Sequence, residues 1–462
     1  MTNRLRVYPL DPRQLTEEQL AVVFAMTSRR PEPFDEIAEV VTTQKAADFH
    51  ERWVLNYGHS SVAEHAIIHM AVENLSRLAC DTLEDNRLAS YTEKSSRYQV
   101  IDKRYYHIPT ELKGHPLRRL YVDTCNALFT DYQKLVDDLQ QYLPTVRLRR
   151  DNERDNPYNL RIRREATDTA RFLLPAATLT NVGVTLNARS MEHAIRKLLS
   201  SDLAEEQALG RVLKEQGHTI TPTLIKYADR SDYLVLSRNA QQEAAQPYTE
   251  PSNGPAAEAE ATLVHWDPDA EAKVAAALLY RFANQPYTQI WKHVQAMTPN
   301  RLEGVIDGAL QHLGPHDVPV RELESVDYTF DLLMDYGAYR EFKRHRMQSY
   351  IPQPLAVEHG YVVPPLVEEA GLEARFHQTM HRAEAAFQTM HGELPEIARY
   401  LVTHAHKRRV LSKMNLRECY HLFKLRTSPT THFSLVWVIR RAMELATERH
   451  PVLFRYLRLR SD

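Results

Sequence analysis

Two stretches of the chain alternate apolar and polar side chains with a period of two. Ile68, Met70 and Val72 carry one of them, and Val326, Tyr328, Phe330 and Leu332 the other. A strand points successive side chains to opposite faces, so each stretch predicts a strand with one buried face, placing His65 and His69 within the first. Elsewhere the period is helical. Met191, Ile195 and Leu198 share a helix face after Asn187, as Leu422 and Leu425 do after Asn415. Residues 271–283 set Val274, Ala277, Leu278 and Phe282 along one stripe and end before Pro286, where the backbone is pushed out of the helical region. Strands and helices together predict an α+β fold.

The order of these elements occurs twice. Residues 240–261, AQQEAAQPYTEPSNGPAAEAEA, are poor in large apolar side chains and rich in Pro, Gln, Glu and Ala, which predicts a linker between a first domain, 1–239, and a second, 262–462. The first holds Gly58-His59-Ser60-Ser61-Val62-Ala63-Glu64-His65, then the alternating stretch, then Arg87-Leu88-Ala89-Ser90-Tyr91. The second holds Gly314-Pro315-His316 with Glu322 beyond, its own alternating stretch, then Arg346-Met347-Gln348-Ser349-Tyr350. The helices opened by Asn187-Ala188-Arg189 and Asn415-Leu416-Arg417 follow in the same places, so the chain reads as a tandem duplication.

Composition narrows the functions. The 462 residues exceed the size of one hydrophobic core, in keeping with two domains. A formal charge of -2 argues against a nucleic-acid binder held by a basic field. Cys80, Cys125 and Cys419 lie far apart without a CxxC pair, which fits a reducing compartment and a cytoplasmic protein. No apolar run suits a membrane span, and the first residues lack the apolar centre of a signal peptide. With only 13 glycines and no GxGxxG after a strand, a Rossmann dinucleotide unit is not expected. The mixed charges of 147–165 read as a solvated face.

Several clusters could carry chemistry. Arg344-His345-Arg346 places two guanidiniums beside an imidazole, a set suited to phosphate or pyrophosphate. The stretch from Ser90 to Tyr98 offers hydroxyl, carboxylate and guanidinium groups to a polar ligand. His65 with His69, and His377 with His381, are spaced four apart. The first pair falls in an expected strand and the second has no third ligand nearby, so neither predicts a metal site.

In these motifs the chain resembles the flavin-dependent thymidylate synthases. Their pattern runs Gly-His-x-Ser/Thr-x-x-Glu-His, Arg-His-Arg-x-x-Ser-x-Asn-Glu-x-Ser-x-Arg-Tyr, Ala-Arg-x-x-Leu-Pro and Asn-x-Arg-Ser-Leu, before a later arginine. The first copy keeps Gly58-His59, Ser61, Glu64-His65, Arg87, Ser90, Glu93, Ser95, Arg97, Tyr98, Ala170-Arg171, Leu174-Pro175 and Asn187-Ala188-Arg189-Ser190. It has Asp85 and Asn86 in place of the first Arg and His, and Leu198 in place of the later arginine. The second copy keeps Arg344-His345-Arg346, Ser349, Ala398-Arg399, Asn415, Arg417 and, eleven residues after Asn415, Arg426, but has Pro352, Gln353, Pro354 and Leu355 where Ser-x-Arg-Tyr would stand. The losses are complementary.

The resemblance implies two thymidylate-synthase-complementing-protein-like domains, each an antiparallel sheet with packed helices. It implies FAD as cofactor, NADPH and methylene-tetrahydrofolate as cosubstrates, and reductive methylation of dUMP to dTMP. Family members are homotetramers with sites between subunits, so a duplicated chain is expected to form a homodimer, a pseudo-tetramer with composite sites. Flavin contacts are expected from Ser61, Glu64, Arg344, His345 and Arg346, joined by Asn187, Arg189 and His193 or Asn415, Arg417 and His421. Nucleotide contacts are expected from Glu93, Ser95, Arg97, Arg171 and Arg399. Arg426 would face the pyrimidine as the catalytic residue, stabilising charge that develops on the ring. The alternatives are a non-catalytic flavin or nucleotide binder, or a flavoenzyme acting on another uridine-type nucleotide.

Overall fold

A computed structural model describes residues 6–460 except 7, 11–12, 29, 57, 103–104 and 250–258. The first repeat supplies β1 (Ile67–Ser76), α1 (Arg77–Leu83), β2 (Ala89–Glu93), α2 (Asp155–Ala170), β3 (Leu179–Asn187), α3 (Ala188–Leu199), α4 (Ala204–His218) and α5 (Asp232–Ala245). The second supplies β4 (Ala261–Trp266), α6 (Ala270–Tyr280), β5 (Asp327–Asp335), α7 (Tyr336–Phe342), β6 (Ser349–Pro352), β7 (Lys407–Asn415), α8 (Leu416–Arg426) and α9 (Phe433–Arg449). The strands form two antiparallel sheets, ordered β1-β3-β2 and β4-β5-β7-β6. The chain is thus α+β in two copies.

The registers of the two sheets superimpose. Ser76 lies opposite Leu179 and Ser90 opposite Thr185 in the first; Asp335 lies opposite Lys407 and Ser349 opposite Lys413 in the second. The one offset is a bulge in β1 between Val72 and Leu75, where Asn74 takes a φ of 57°, a left-handed conformation that asparagine tolerates. Equal registers pair the repeats residue by residue: Asn86 with His345, Ser190 with Glu418, Leu198 with Arg426.

Each sheet delivers its strands directly into helices, and short polar side chains make the joints. Ser76 Oγ accepts from Ala79 N to start α1, and Asp335 Oδ1 accepts from Ala338 N to start α7. Asn187 and Asn415 do the same for α3 and α8, through Ser190 N and Glu418 N. Such caps satisfy amides that have no partner within the helix. Behind the joints lie the apolar faces. Val326, Tyr328, Phe330 and Leu332 are buried, as are Met191, Ile195 and Leu198.

By compactness the chain divides into two units. Unit one holds the described residues of Met1–Thr130, Pro175–Thr249 and Gln388–Leu401; unit two holds those of Asp131–Leu174, Glu250–Phe387 and Val402–Asp462. The arginine turns are therefore exchanged. Arg171–Leu173, from the first repeat, belongs to unit two, and Arg399–Leu401, from the second, to unit one.

Three local expectations are revised. α6 ends at Tyr280, so Phe282 falls outside the stripe; it is 87% exposed, with the Arg281 guanidinium over its ring. β1 begins at Ile67, leaving His65 outside the strand while His69 bonds Thr185 Oγ1 within it. Residues 240–245, at the start of the expected linker, continue α5, of which no residue is buried, and 250–258 lie outside the described residues.

Candidate functional site

In unit two, the strand-to-helix joints bring together side chains far apart in sequence. His345 is buried just beyond α7 and is hydrogen-bonded at both ring nitrogens. Its Nδ1 lies 3.0 Å from Glu418 Oε1, and Arg426 Nε donates to its Nε2 at 2.8 Å. A guanidinium does not lose its proton, so Nε2 must be the bare nitrogen and Nδ1 the protonated one. Burial pushes this imidazole down from the usual histidine range and Arg426 adds to the push, against the opposing pull of Glu418. The ring is therefore a neutral connector between a carboxylate and a guanidinium.

Arg426 extends the cluster toward the other repeat. Its Nη1 lies 3.6 Å from Glu341, whose carboxylate also lies 4.0 Å from Arg171. Arg171 is 2.8 Å from Asp168, and Asp168 is 3.8 Å from His432, whose ring stacks on Phe172. Cations of both repeats, Arg171 and Arg426, thus share one carboxylate inside a single unit. Of the tripeptide around His345, only the imidazole turns inward; Arg344 and Arg346 are exposed.

A cleft of about 550 Å³ opens on the Glu418 side of this cluster. Asn415, Arg417, His421 and Lys424 of β7 and α8 line it, with Arg458 and Arg460 from the C-terminal segment and His316 from the Gly314 turn. Arg417 Nη1 pairs with Glu324 at 2.7 Å, and Lys424 bonds the Pro315 carbonyl, so both hold the turn. Leu313, Val318, Met347, Leu425 and Leu457 supply apolar wall.

Unit one presents another set. Glu64 and Arg189, both expected to touch a cofactor, form an ion pair with each other. Ser61 lines a smaller cleft of about 350 Å³ walled by Phe24, Phe49 and Trp53 with His59 and His65. Glu93 is paired with the buried Arg77 at 3.2 Å. Ser95 Oγ accepts the amide of Arg97, and Arg399 grips Glu396 through both terminal nitrogens. Asn187 is committed to capping α3, and His193 is exposed on that helix. Among the described residues, the group of His, Cys, Asp and Glu close enough to hold a metal is Cys80, Glu84 and Glu93; the guanidinium of Arg77 already neutralises its Glu93.

A family model described as thymidylate synthase complementing protein matches the chain twice, over residues 13–223 and 262–452. The chain belongs to that family. A UPF0159 protein of Chlamydia muridarum is 30% identical over 432 residues, covering 90% of this chain and 81% of the relative. A UPF0159 protein of Thermoplasma acidophilum is 29% identical over 444 residues, covering 89% and 88%. A flavin-dependent thymidylate synthase of Clostridium tetani is 26% identical over 217 residues, 46% of this chain and 83% of its own length. One such length spans about half of the chain, as a tandem duplication of the family's unit requires.

In this member of the thymidylate synthase complementing family, the buried cluster of His345, Glu418, Arg426 and Glu341 lies in unit two. Of the residues named from sequence, Arg426, His345 and Arg171 lie in this cluster; Glu418, Glu341, Asp168 and the C-terminal arginines were not named. Glu418 carried a signal, since it replaces the Ser of the family's Asn-x-Arg-Ser-Leu. Glu341 and Asp168 carried none, because their partners are set by the tertiary fold. The buried thiols of Cys125 and Cys419 are pushed up by burial and stay protonated, unlike an activated nucleophile. Among the described residues no helix is long and apolar enough to cross a membrane.

Proposed function

We propose that the chain is a flavin-dependent methyltransferase of the thymidylate synthase type. It would convert dUMP, methylene-tetrahydrofolate and NADPH, with a proton, to dTMP, tetrahydrofolate and NADP. The observation that carries this reading is the meeting of Arg426 with Arg171 across Glu341, beside a cationic cleft. Glu341 and Asp168 orient the two guanidiniums, and the charge for an anionic ligand comes from the arginines and lysine of the cleft.

The cleft suits FAD in kind. Arg417, Lys424, Arg458 and Arg460 outnumber Asp317, Glu324 and Glu418 along its walls, and apolar side chains complete the lining. Arg344 and Arg346, exposed beside His345, would add charge for the pyrophosphate. When bound, the flavin would carry reducing equivalents from NADPH to the transferred carbon. The chain's own part is binding and electrostatics: Arg171 would hold the nucleotide phosphate, and Arg426 would stabilise negative charge developing on the pyrimidine. As part of the same reading we place Glu93, Ser95 and Arg97 against the nucleotide, and Ser61, Glu64, Asn187, Arg189 and His193 toward a flavin. Arg399 would serve unit one as Arg171 serves unit two. The assembly would be a cytoplasmic homodimer.

The test is direct. Purified protein should bind FAD, with absorbance at roughly 375 and 450 nm, and form dTMP. Arg426→Ala should lower dTMP formation roughly a hundredfold to a thousandfold while flavin stays bound. Arg344→Ala should instead weaken the flavin. Flavin binding without turnover in the wild type would reduce the protein to a binding homologue, and unchanged turnover in Arg426→Ala would remove that residue from the site.

A further inference from the structure

The residue at the start of α8 separates the two repeats in a way that the family's pattern does not foresee. That pattern has serine after Asn-x-Arg, and the first repeat keeps it as Ser190. The second repeat has Glu418, only 5% exposed and facing His345. Its carboxylate lies in the first turn of α8, where the helix dipole favours negative charge, and its own amide is bonded to Asn415. A serine hydroxyl at this position is too short to take its place against the ring.

We propose that Glu418 is a positioning residue: by accepting the Nδ1 proton of His345 it fixes the ring as one tautomer, and through Nε2 it holds Arg426 by its Nε edge. Imidazole has two neutral tautomers, and only the Nδ1–H form can accept from Arg426. Without an acceptor at Nδ1 the Nε2–H form would set two N–H groups against each other and release the arginine. His421 also lies beside the ring, with centroids 5.3 Å apart, while both nitrogens of His345 are engaged by Glu418 and Arg426. The effect on turnover rests on the function proposed above; the tautomer does not.

The two are therefore measured separately. Nitrogen-15 NMR of histidine-labelled full-length protein at neutral pH, with the His345 signals assigned by their loss in His345→Asn, should show the proton on Nδ1. A proton on Nε2, or on both nitrogens, overturns the proposal without any variant at position 418. In Glu418→Ser, which installs the residue of the first repeat, the single tautomer should be lost. In Glu418→Gln, whose amide oxygen can still accept, it should persist. An Nδ1–H ring in Glu418→Ser overturns the proposal. If the protein forms dTMP, kcat of Glu418→Ser should fall roughly tenfold or more, the size of one hydrogen bond to a charged group, and Glu418→Gln should recover most of it. A wild type with the Nδ1–H ring but no dTMP defeats the function and leaves the positioning role standing.

Discussion

The second unit carries Glu418, His345 and Arg426 at the positions where the first carries Ser190, Asn86 and Leu198. In the second, a carboxylate, an imidazole and a guanidinium are joined by hydrogen bonds of 3.0 and 2.8 Å. In the first, Leu198 is wholly buried in an apolar core, and Asn86 turns its amide back to the Leu83 carbonyl. In unit two the three positions depend on one another. A guanidinium at 198 would have neither an imidazole to receive it nor a carboxylate behind that ring.

The joints at the ends of β1 and β5 show a related exchange. In unit one the cap is Ser76, whose hydroxyl donates to Glu205 at 2.6 Å. In unit two the cap is Asp335, with Ser434 near its carboxyl. Acid and hydroxyl have traded places across equivalent packing, so the capping bond is kept while the charge sits on the other element. Shape at these joints is conserved between the repeats; the placement of charge distinguishes them.

Leu198→Arg is the strongest way to break the first comparison. It buries a charge where no partner waits, and should cost roughly 3–5 kcal/mol, read as a lower urea midpoint. Adding Asn86→His and Ser190→Glu should return part of that loss, because the triple variant rebuilds the second unit's set. A loss under about 1 kcal/mol for Leu198→Arg alone would mean that the site opens to water and that the two joints are less alike than their registers indicate.

Asp335→Asn sharpens the second comparison through pH. Burial pushes the Asp335 carboxyl up from 3.8 to about 6, with Ser434, the Ala338 amide and Arg171 pulling it back. The folded protein therefore holds this proton more tightly than the unfolded chain. The resulting stability is present below pH 3.8 and is lost as pH rises through about 6. Asparagine keeps the cap and never ionises. The variant should gain on the wild type across that window, levelling at on the order of 2–3 kcal/mol near neutral pH. Urea titrations at pH 4 and 7 measure it, and equal slopes in both proteins would contradict the assignment.

Much of this was legible in the sequence, for reasons that mark where legibility stops. The alternation through Tyr328, Phe330 and Leu332 and the helical spacing of Met191, Ile195 and Leu198 each report one buried face, and the duplication followed from their order. Arg426 was singled out because it stands eleven residues after Asn415, as the resemblance to the family's pattern implies, where Leu198 follows Asn187. Phe282 was misplaced because periodicity cannot see where a helix stops short of a proline. Glu341 was invisible as a partner because its tie to Arg171 links positions 170 residues apart. The exchange of the Arg171 and Arg399 turns between the units has no local signal at all, since neither sequence differs from what it would be without the exchange.

The smallest effect is expected at Asp85, which stands where the second repeat has Arg344. Lys197 reaches its carboxylate at 3.0 Å and its carbonyl at 2.9 Å. The Asp85 side chain is 53% exposed, so solvent screens the pair. Asp85→Asn should cost no more than about 0.2–1 kcal/mol, and the difference should shrink in high salt. Because the carbonyl bond does not depend on the side chain, Lys197→Ala should cost somewhat more than Asp85→Asn. Should Asp85→Asn instead destabilise by several kcal/mol, the charge at this position would be part of unit one's framework. Its contrast with the exposed Arg344 would then record a structural demand in place of a lost ligand contact.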